Sequence, residues 1–283
     1  MLGGAGQIAT AVVAMAPAIH HVTSLTRAEL DIADGKAIAR AVVESKPEWI
    51  VNAAAYTAVD LAEDQPAQAM AINDTAVGVI AAAASKAGCR LLHLSTDFVF
   101  DGQSNRGYTP ADQPNPLSVY GRSKWGGERH VLSLGSAGII LRTAWVYAAA
   151  GRNFVLTMLK LMREKEQLSV VIDQIGTPTW ATGIATAIWG LIAAGVPGGV
   201  YHWTDLGVAS WYDFALAIQD EALARSLLRR AVPIMPIPSS AYPTKAQRPA
   251  FSVLDTQTTR ALIQVPAHHW RHNLKAMLDE LRT

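Results

Sequence analysis

The 283-residue sequence is short of several things, and each shortage closes off a class of function. It has one cysteine, Cys89, so no disulfide can form within the chain and nothing points to an oxidising compartment. Charge is sparse, at 17% of residues, and balanced, with 24 Lys and Arg against 23 Asp and Glu. Without a basic excess there is no general attraction to nucleic acid or to an anionic membrane surface. No Lys or Arg precedes the apolar stretch 8–19 (IATAVVAMAPAI), so it lacks the charged start of a signal peptide. The apolar stretch 184–196 (IATAIWGLIAAGV) is shorter than the roughly 20 residues that span a bilayer. It reads as a buried helix ended by Pro197, and the expected location is the cytoplasm. His268, His269 and His272 have no Cys or carboxylate partners nearby and read as a helix start, not a metal site.

What is present is apolar material in alternating lengths. Half the residues are hydrophobic, enough for a large core. Short apolar runs predict strands at His21–Leu25, Trp49–Asn52, Arg90–Leu94 and Gly138–Leu141, with Leu168–Ile172 a further candidate. Longer amphipathic patterns predict helices over Gln7–Ala16, Gly35–Ser45, Pro66–Ala87, Ser118–Ser133 and Thr182–Ala194. This alternation calls for an α/β fold with a parallel sheet covered on both faces. After about residue 145 the rhythm loosens. Prolines gather at 233, 236, 238, 243 and 249, and helical patterns return at Trp211–Leu228 and His269–Leu281. That half is expected to form a smaller, more irregular lobe.

Four stretches carry chemistry. The opening M-L-G-G-A-G-Q-I-A spaces Gly3, Gly6 and Ala9 as a turn that lets a backbone approach a phosphate and leads into a helix N-terminus. Taken alone it also fits a plain turn. Asn52-Ala53-Ala54-Ala55 follows a strand, and its small residues leave room for a flat ligand. Leu94-Ser95-Thr96-Asp97 brings hydroxyls and a carboxylate to the carboxyl edge of the sheet, where open α/β sheets bind ligands. In Tyr120-Gly121-Arg122-Ser123-Lys124, Tyr120 and Lys124 lie four apart on one helical face. An ammonium there is expected to lower the tyrosine pKa and make it a proton donor nearer neutrality.

The order of these stretches resembles the extended short-chain dehydrogenase/reductase superfamily. The finer pattern is G-x-x-G-Q-I, D-I-A-D (31–34), N-A-A-A-Y-T-A-V-D (52–60) and L-S-T-D-F-V-F-D-G (94–102). It continues with N-P-L-S-V-Y-G-R-S-K (115–124), L-R-T-A-W-V-Y (141–147), D-Q-I-G-T-P-T (173–179) and R-P-A-F-S-V-L-D (248–255). It resembles the dTDP-4-dehydrorhamnose reductase family over nearly the whole chain.

The resemblance implies a Rossmann-type, doubly wound parallel sheet over residues 1–145, with 168–195 returning to it. Residues 146–283 would form mainly a substrate-binding lobe. It implies reduction of a dTDP-sugar 4-ketone by NAD(P)H. Tyr120 would be the proton donor, Lys124 its tuner and a ligand of the nicotinamide ribose, and Thr96 the residue aligning the keto oxygen. Asp97, Phe98, Trp145 and Arg248 would meet the substrate. Gly3, Gly6, Gln7 and Ile8 would border the pyrophosphate, Asp31 and Ile32 the adenine, and Ala53, Ala54 and Tyr56 the middle of the cofactor. Leu25-Thr26-Arg27 offers no carboxylate for a ribose 2′-hydroxyl, and Arg27 can pair with a 2′-phosphate, which favours NADPH over NADH.

There are departures from the family pattern. Phe98 stands where the family often has tyrosine, Trp125 replaces a smaller aliphatic residue, and Ala9 replaces a third glycine. Some members use a magnesium-dependent dimer interface whose ligands find no match here, so magnesium and a homodimer stay open. Only Met1 and Leu2 precede the first glycine, too few for a full strand at about 3.3 Å per residue. Either the first strand is unusually short, or the natural start lies upstream. Two other readings stand beside the reductase: an epimerase or dehydratase on the same frame, and an NADP-binding regulatory subunit. A dehydratase needs an acidic pair beside the threonine, and Thr96 is followed by Asp97 and Phe98.

Overall fold

The computed structural model describes residues 1–281. Strands β1 (Trp49–Asn52), β2 (Arg90–Thr96), β3 (Gly138–Thr143) and β5 (Gly199–His202) pair in that order, all parallel. A separate parallel pair joins β4 (Leu168–Val171) to β6 (Ile234–Ile237). Successive strand residues point to opposite faces, and each face of the main sheet has its own core. Leu91 and Ile140 pack with Ile38, Val77 and Ile80 from helices α2 (Gly35–Ser45) and α3 (Ala76–Ala87). Leu92, Leu94, Ile139 and Leu141 pack with Val12 of α1 (Gln7–Ala14) and Ile184 and Ile188 of α6 (Ala181–Ala193). Burial on both faces explains why these strands read as unbroken apolar runs.

The expected strand His21–Leu25 is reduced to one bridge. Leu2 alone pairs with Leu25 on one side and Asn52 on the other. Met1 adds two bonds to the same segment: its carbonyl accepts the Leu25 N–H at 2.9 Å and its amino group donates to the Thr23 carbonyl at 2.8 Å. The sheet therefore runs Leu25, Leu2, β1, β2, β3, β5. On the amino side of Leu2 lies a cavity of about 750 Å³, lined by Thr23, Trp49, Val51, Val12, Ile38 and Trp189 among others. It faces away from the carboxyl edge.

The expected helix Pro66–Ala87 is continuous but contains a π-turn at Ala71–Thr75 between Pro66–Met70 and α3. By length and composition this run could cross a membrane, yet its Val77, Ile80, Ala81 and Ala84 are buried in the core. Helix α4 (Val119–Leu132) is fastened to the sheet by a buried ion pair. Arg142 Nε and Nη2 of β3 donate to Glu128 Oε1 and Oε2 at 2.8 and 2.6 Å.

A third core, away from the main sheet, gathers Tyr147, Phe214, Ile218, Leu274 and Met277 around α5 (Phe154–Glu164), α7 (Trp211–Ala224) and α8 (Trp270–Glu280). The span 168–195 divides between this core and the main sheet. β4 pairs within the third core, whereas α6 lies on the main sheet, where Trp189 Nε1 donates to the Val12 carbonyl at 3.0 Å.

Candidate active site

Two turns and one helix converge at the carboxyl edge. Strand β2 ends at Thr96, whose hydroxyl caps the 3₁₀ turn Asp97–Val99. It accepts the Phe98 N–H at 3.2 Å and donates to Asp97 Oδ1 at 3.0 Å. Asp97 is 2% exposed, and its Oδ2 has no hydrogen-bond partner among the described residues. Burial pushes its carboxyl up to about 6, against the pull of the neighbouring Ser252 and Thr96 hydroxyls.

Helix α4 begins under a Ser118 cap that accepts the Gly121 N–H at 3.1 Å. A side chain at Gly121 would collide with the Phe98 carbonyl, so glycine alone lets the helix settle on the 3₁₀ turn. That contact brings Tyr120 against Phe98, ring edge to face at 5.5 Å, and within hydrogen-bond reach of Thr96. Thr96, Asp97, Phe98 and Tyr120 are thus one cluster.

The sign of the tyrosine shift differs from the sequence expectation. Burial pushes Tyr120 up to about 12, and the Asp97 charge adds to this, while the Thr96 hydrogen bond opposes it. Lys124 is itself buried, and burial lowers its ammonium to about 8, opposed by Glu128. Its Nζ contacts the Leu94 carbonyl at 2.6 Å and His93 Nε2 at 3.1 Å.

The opening turn fits a dinucleotide. Gly3 has φ 81°, and a Cβ there would lie 2.7 Å from Ala54 N, so only glycine permits this approach of turn and β1 end. The cradle is closed by Gly6 N–H donating to Gly3 and Gly4 N–H to Leu25, both at 2.9 Å. Helix α1 starts at Gly6 with no side-chain cap, which leaves the first-turn N–H groups of Gln7 and Ile8 to an anion. Gln7 Oε1 also accepts Asn153 Nδ2 at 2.9 Å, tying the turn to the loop before α5. Ala53 and Ala54 flank this cradle. Tyr56 is held next to them by Asn73, which accepts its N–H at 2.8 Å and donates to its carbonyl at 2.9 Å.

The remaining expected site residues stand further out. Arg27 is exposed and lies 3.5 Å from Asp31, while Ile32 is buried in the core beneath them. Trp145 has φ 46°, a strained backbone for a bulky residue. Its indole stacks on Trp211 with centroids 3.5 Å apart and packs on Gly176. Arg248 is engaged by Asp60, with Nη2 and Nη1 at 2.7 and 3.1 Å from its two oxygens. Two residues at the site were not singled out in the sequence, Ser252 beside Asp97 and His93 beside Lys124. His93 leaves one signal, a polar residue inside the apolar run of β2.

The RmlD substrate-binding domain family matches residues 1–283. A dTDP-4-dehydrorhamnose reductase of Burkholderia thailandensis is 40% identical over 296 aligned residues, covering 99% of this chain and 97% of that one. The crystal structure of the dTDP-4-dehydrorhamnose reductase of Bacillus anthracis in complex with NADP superposes with a TM-score of 0.93 at 32% identity. It covers 99% of this chain and 97% of that one. The Clostridium acetobutylicum orthologue gives 0.93 at 34% identity, over 100% and 98% of the two chains. With a family match over its whole length and relatives at this identity, the chain belongs to the dTDP-4-dehydrorhamnose reductase family.

Proposed function

We propose that this protein reduces the 4-keto group of dTDP-4-dehydro-L-rhamnose to give dTDP-L-rhamnose. The observation that carries this reading is the cluster of buried Thr96 and Asp97 with half-buried Tyr120, beside the Gly3 cradle at one sheet edge. NADPH, when bound, supplies the hydride. The cradle of Gly3, Gly6, Gln7 and Ile8 would take its pyrophosphate. Arg27, with no carboxylate between it and Leu25, would take a 2′-phosphate. Membership of a family with an NADP-bound relative supports this choice.

The residues of this chain then have separate tasks. A phenol held up to about 12 keeps its proton through neutral pH, so Tyr120 is loaded to protonate the oxygen of the reduced ketone. Lys124, on the same helical face, offers a positive charge to the phenolate left behind. Thr96 aligns the keto oxygen with Tyr120. Asp97, with one oxygen bonded by Thr96 and the other unpaired, is placed to accept a sugar hydroxyl. Trp145, fixed by its stack on Trp211, offers a flat apolar face to the sugar. The enclosed position of the cluster orients the reacting atoms, which supplies much of the rate.

The test uses dTDP-4-dehydro-L-rhamnose, following loss of reduced-nicotinamide absorbance. Consumption of NADPH in equal amount with the sugar is expected. Recycling of the cofactor would identify an epimerase or dehydratase instead, and cofactor binding without turnover a regulatory subunit. Tyr120→Phe should lower turnover by about 10²–10⁴-fold while NADPH binding holds.

A further inference from the structure

A chain of three hydrogen bonds leads from the backbone of the cofactor turn to Lys124, and its direction can be read at every step. It starts at Ala54, whose N–H donates to Asn52 Oδ1 at 3.1 Å. A backbone amide can only donate, so the Asn52 oxygen faces Ala54 and its NH₂ group faces the other way. That NH₂ group lies 3.0 Å from His93 Nδ1. It too can only donate, so Nδ1 is the acceptor. His93 is fully buried, and desolvation first, with the Lys124 charge adding, holds its pKa well below the usual imidazole value. The ring is therefore neutral, with its single proton on Nε2. Nε2 points at Lys124 Nζ, 3.1 Å away.

An ammonium has no lone pair to receive an N–H, whereas a neutral amine has one. The amine also keeps N–H groups for the Leu94 carbonyl at 2.6 Å. We propose that Asn52 and His93 form a one-way relay that favours the neutral amine of Lys124 and thereby sets the pH at which this residue charges. His93 acts here as a positioning residue, through Lys124.

The other groups around Lys124 divide. Burial works with the relay and lowers the ammonium to about 8. Glu128, one turn along α4, works against it but is engaged by Arg142 of β3. Tyr120 shares the helical face, with Asp97 of the 3₁₀ turn beyond it. The consequence for catalysis rests on the reductase reading. If charged Lys124 supports Tyr120, activity falls as pH rises through the lysine pKa, and the relay decides where.

Two substitutions reverse the last step while keeping its shape. In Asn52→Asp the carboxylate can accept from both Ala54 and His93 Nδ1, which moves the imidazole proton to Nδ1 and turns Nε2 into an acceptor for the ammonium. In His93→Gln an amide oxygen can turn to the ammonium without added charge. The readout is a lysine ¹³Cε NMR titration of the full chain, with the Lys124 signal assigned by its loss in Lys124→Met. In both variants Lys124 should titrate higher by about one pH unit or more, and the alkaline limb of turnover should move with it.

An unchanged Lys124 titration in folded His93→Gln overturns the relay, whatever the activity shows. If Asn52→Asp does not fold, His93→Gln decides alone. A raised titration with an unmoved alkaline limb upholds the relay and removes Lys124 from the proposed mechanism.

Discussion

The two halves of the main sheet differ in how they are held. Between β2 and β3, six consecutive residue pairs are in register, from Leu91–Gly138 to Thr96–Thr143, with core on both faces. At the other end a single residue, Leu2, bridges Leu25 and β1, with the cavity of about 750 Å³ on its amino side. The proposed catalytic cluster hangs from the dense half and the proposed phosphate turn from the thin half. Chemistry and cofactor capture therefore draw on different stocks of stability, and damage to one should be separable from damage to the other.

The largest expected effect breaks the dense half. Glu128→Gln leaves the buried Arg142 guanidinium without its counter-charge, where both side chains are nearly inaccessible. Removing one member of a buried pair should destabilise the fold by about 3–5 kcal/mol, measured by urea denaturation. Catalysis and folding should fail together, because α4 carries Tyr120 and Lys124.

A smaller effect should be confined to the thin half. Gly3→Ala forces a Cβ against Ala54 N at a φ of 81°. Strain of about 1–3 kcal/mol is expected, appearing as NADPH binding weakened about tenfold, with the unfolding midpoint lowered less than in Glu128→Gln. Equal loss of stability in the two variants would show that the halves are one cooperative unit.

The third effect is a slope. The dense side hides Asp97, raised to about 6, and Asp205 just beyond β5, raised by burial to about 7. A carboxyl raised on folding stabilises fully below its unfolded pKa, and this contribution is lost as pH rises through the folded value. From these two groups, stability should decline between about pH 4 and about pH 8. Asp205→Asn should flatten that decline, as read from denaturation midpoints across the range.

The same contrast explains what could be read in the sequence. β1, Trp49–Asn52, and α2, Gly35–Ser45, begin and end where their apolar patterns predict, and the Asp34 side chain caps α2 by accepting the Lys36 and Ala37 N–H groups. Both are settled by local pattern. His21–Leu25 has the composition of a strand, but pairing depends on a neighbour distant in sequence, and here it forms a single bridge, Leu25 with Leu2. The π-turn at Ala71–Thr75 leaves no mark in a continuous helical pattern.

The structure brings Thr96, Asp97 and Tyr120 together, and each stands at a strand or helix boundary that the sequence pattern marks. The sign of the Tyr120 shift was not, because four-residue spacing gives a shared face and says nothing of burial. His93 leaves a weaker mark, a polar residue that merely interrupts the apolar strand β2. The left-handed backbone at Trp145 cannot be foreseen from its identity.

The indole of Trp189 closes on the Val12 carbonyl across 177 residues of chain. On the ribosome this separation becomes a delay. Helix α1, with Ala9 and Val12 destined for the core, emerges long before α6, which covers it. At about 5–20 residues per second, the wait is roughly 10–35 s. For that interval the growing chain carries a short apolar helix without its lid, the segment that a chaperone arriving during translation would meet.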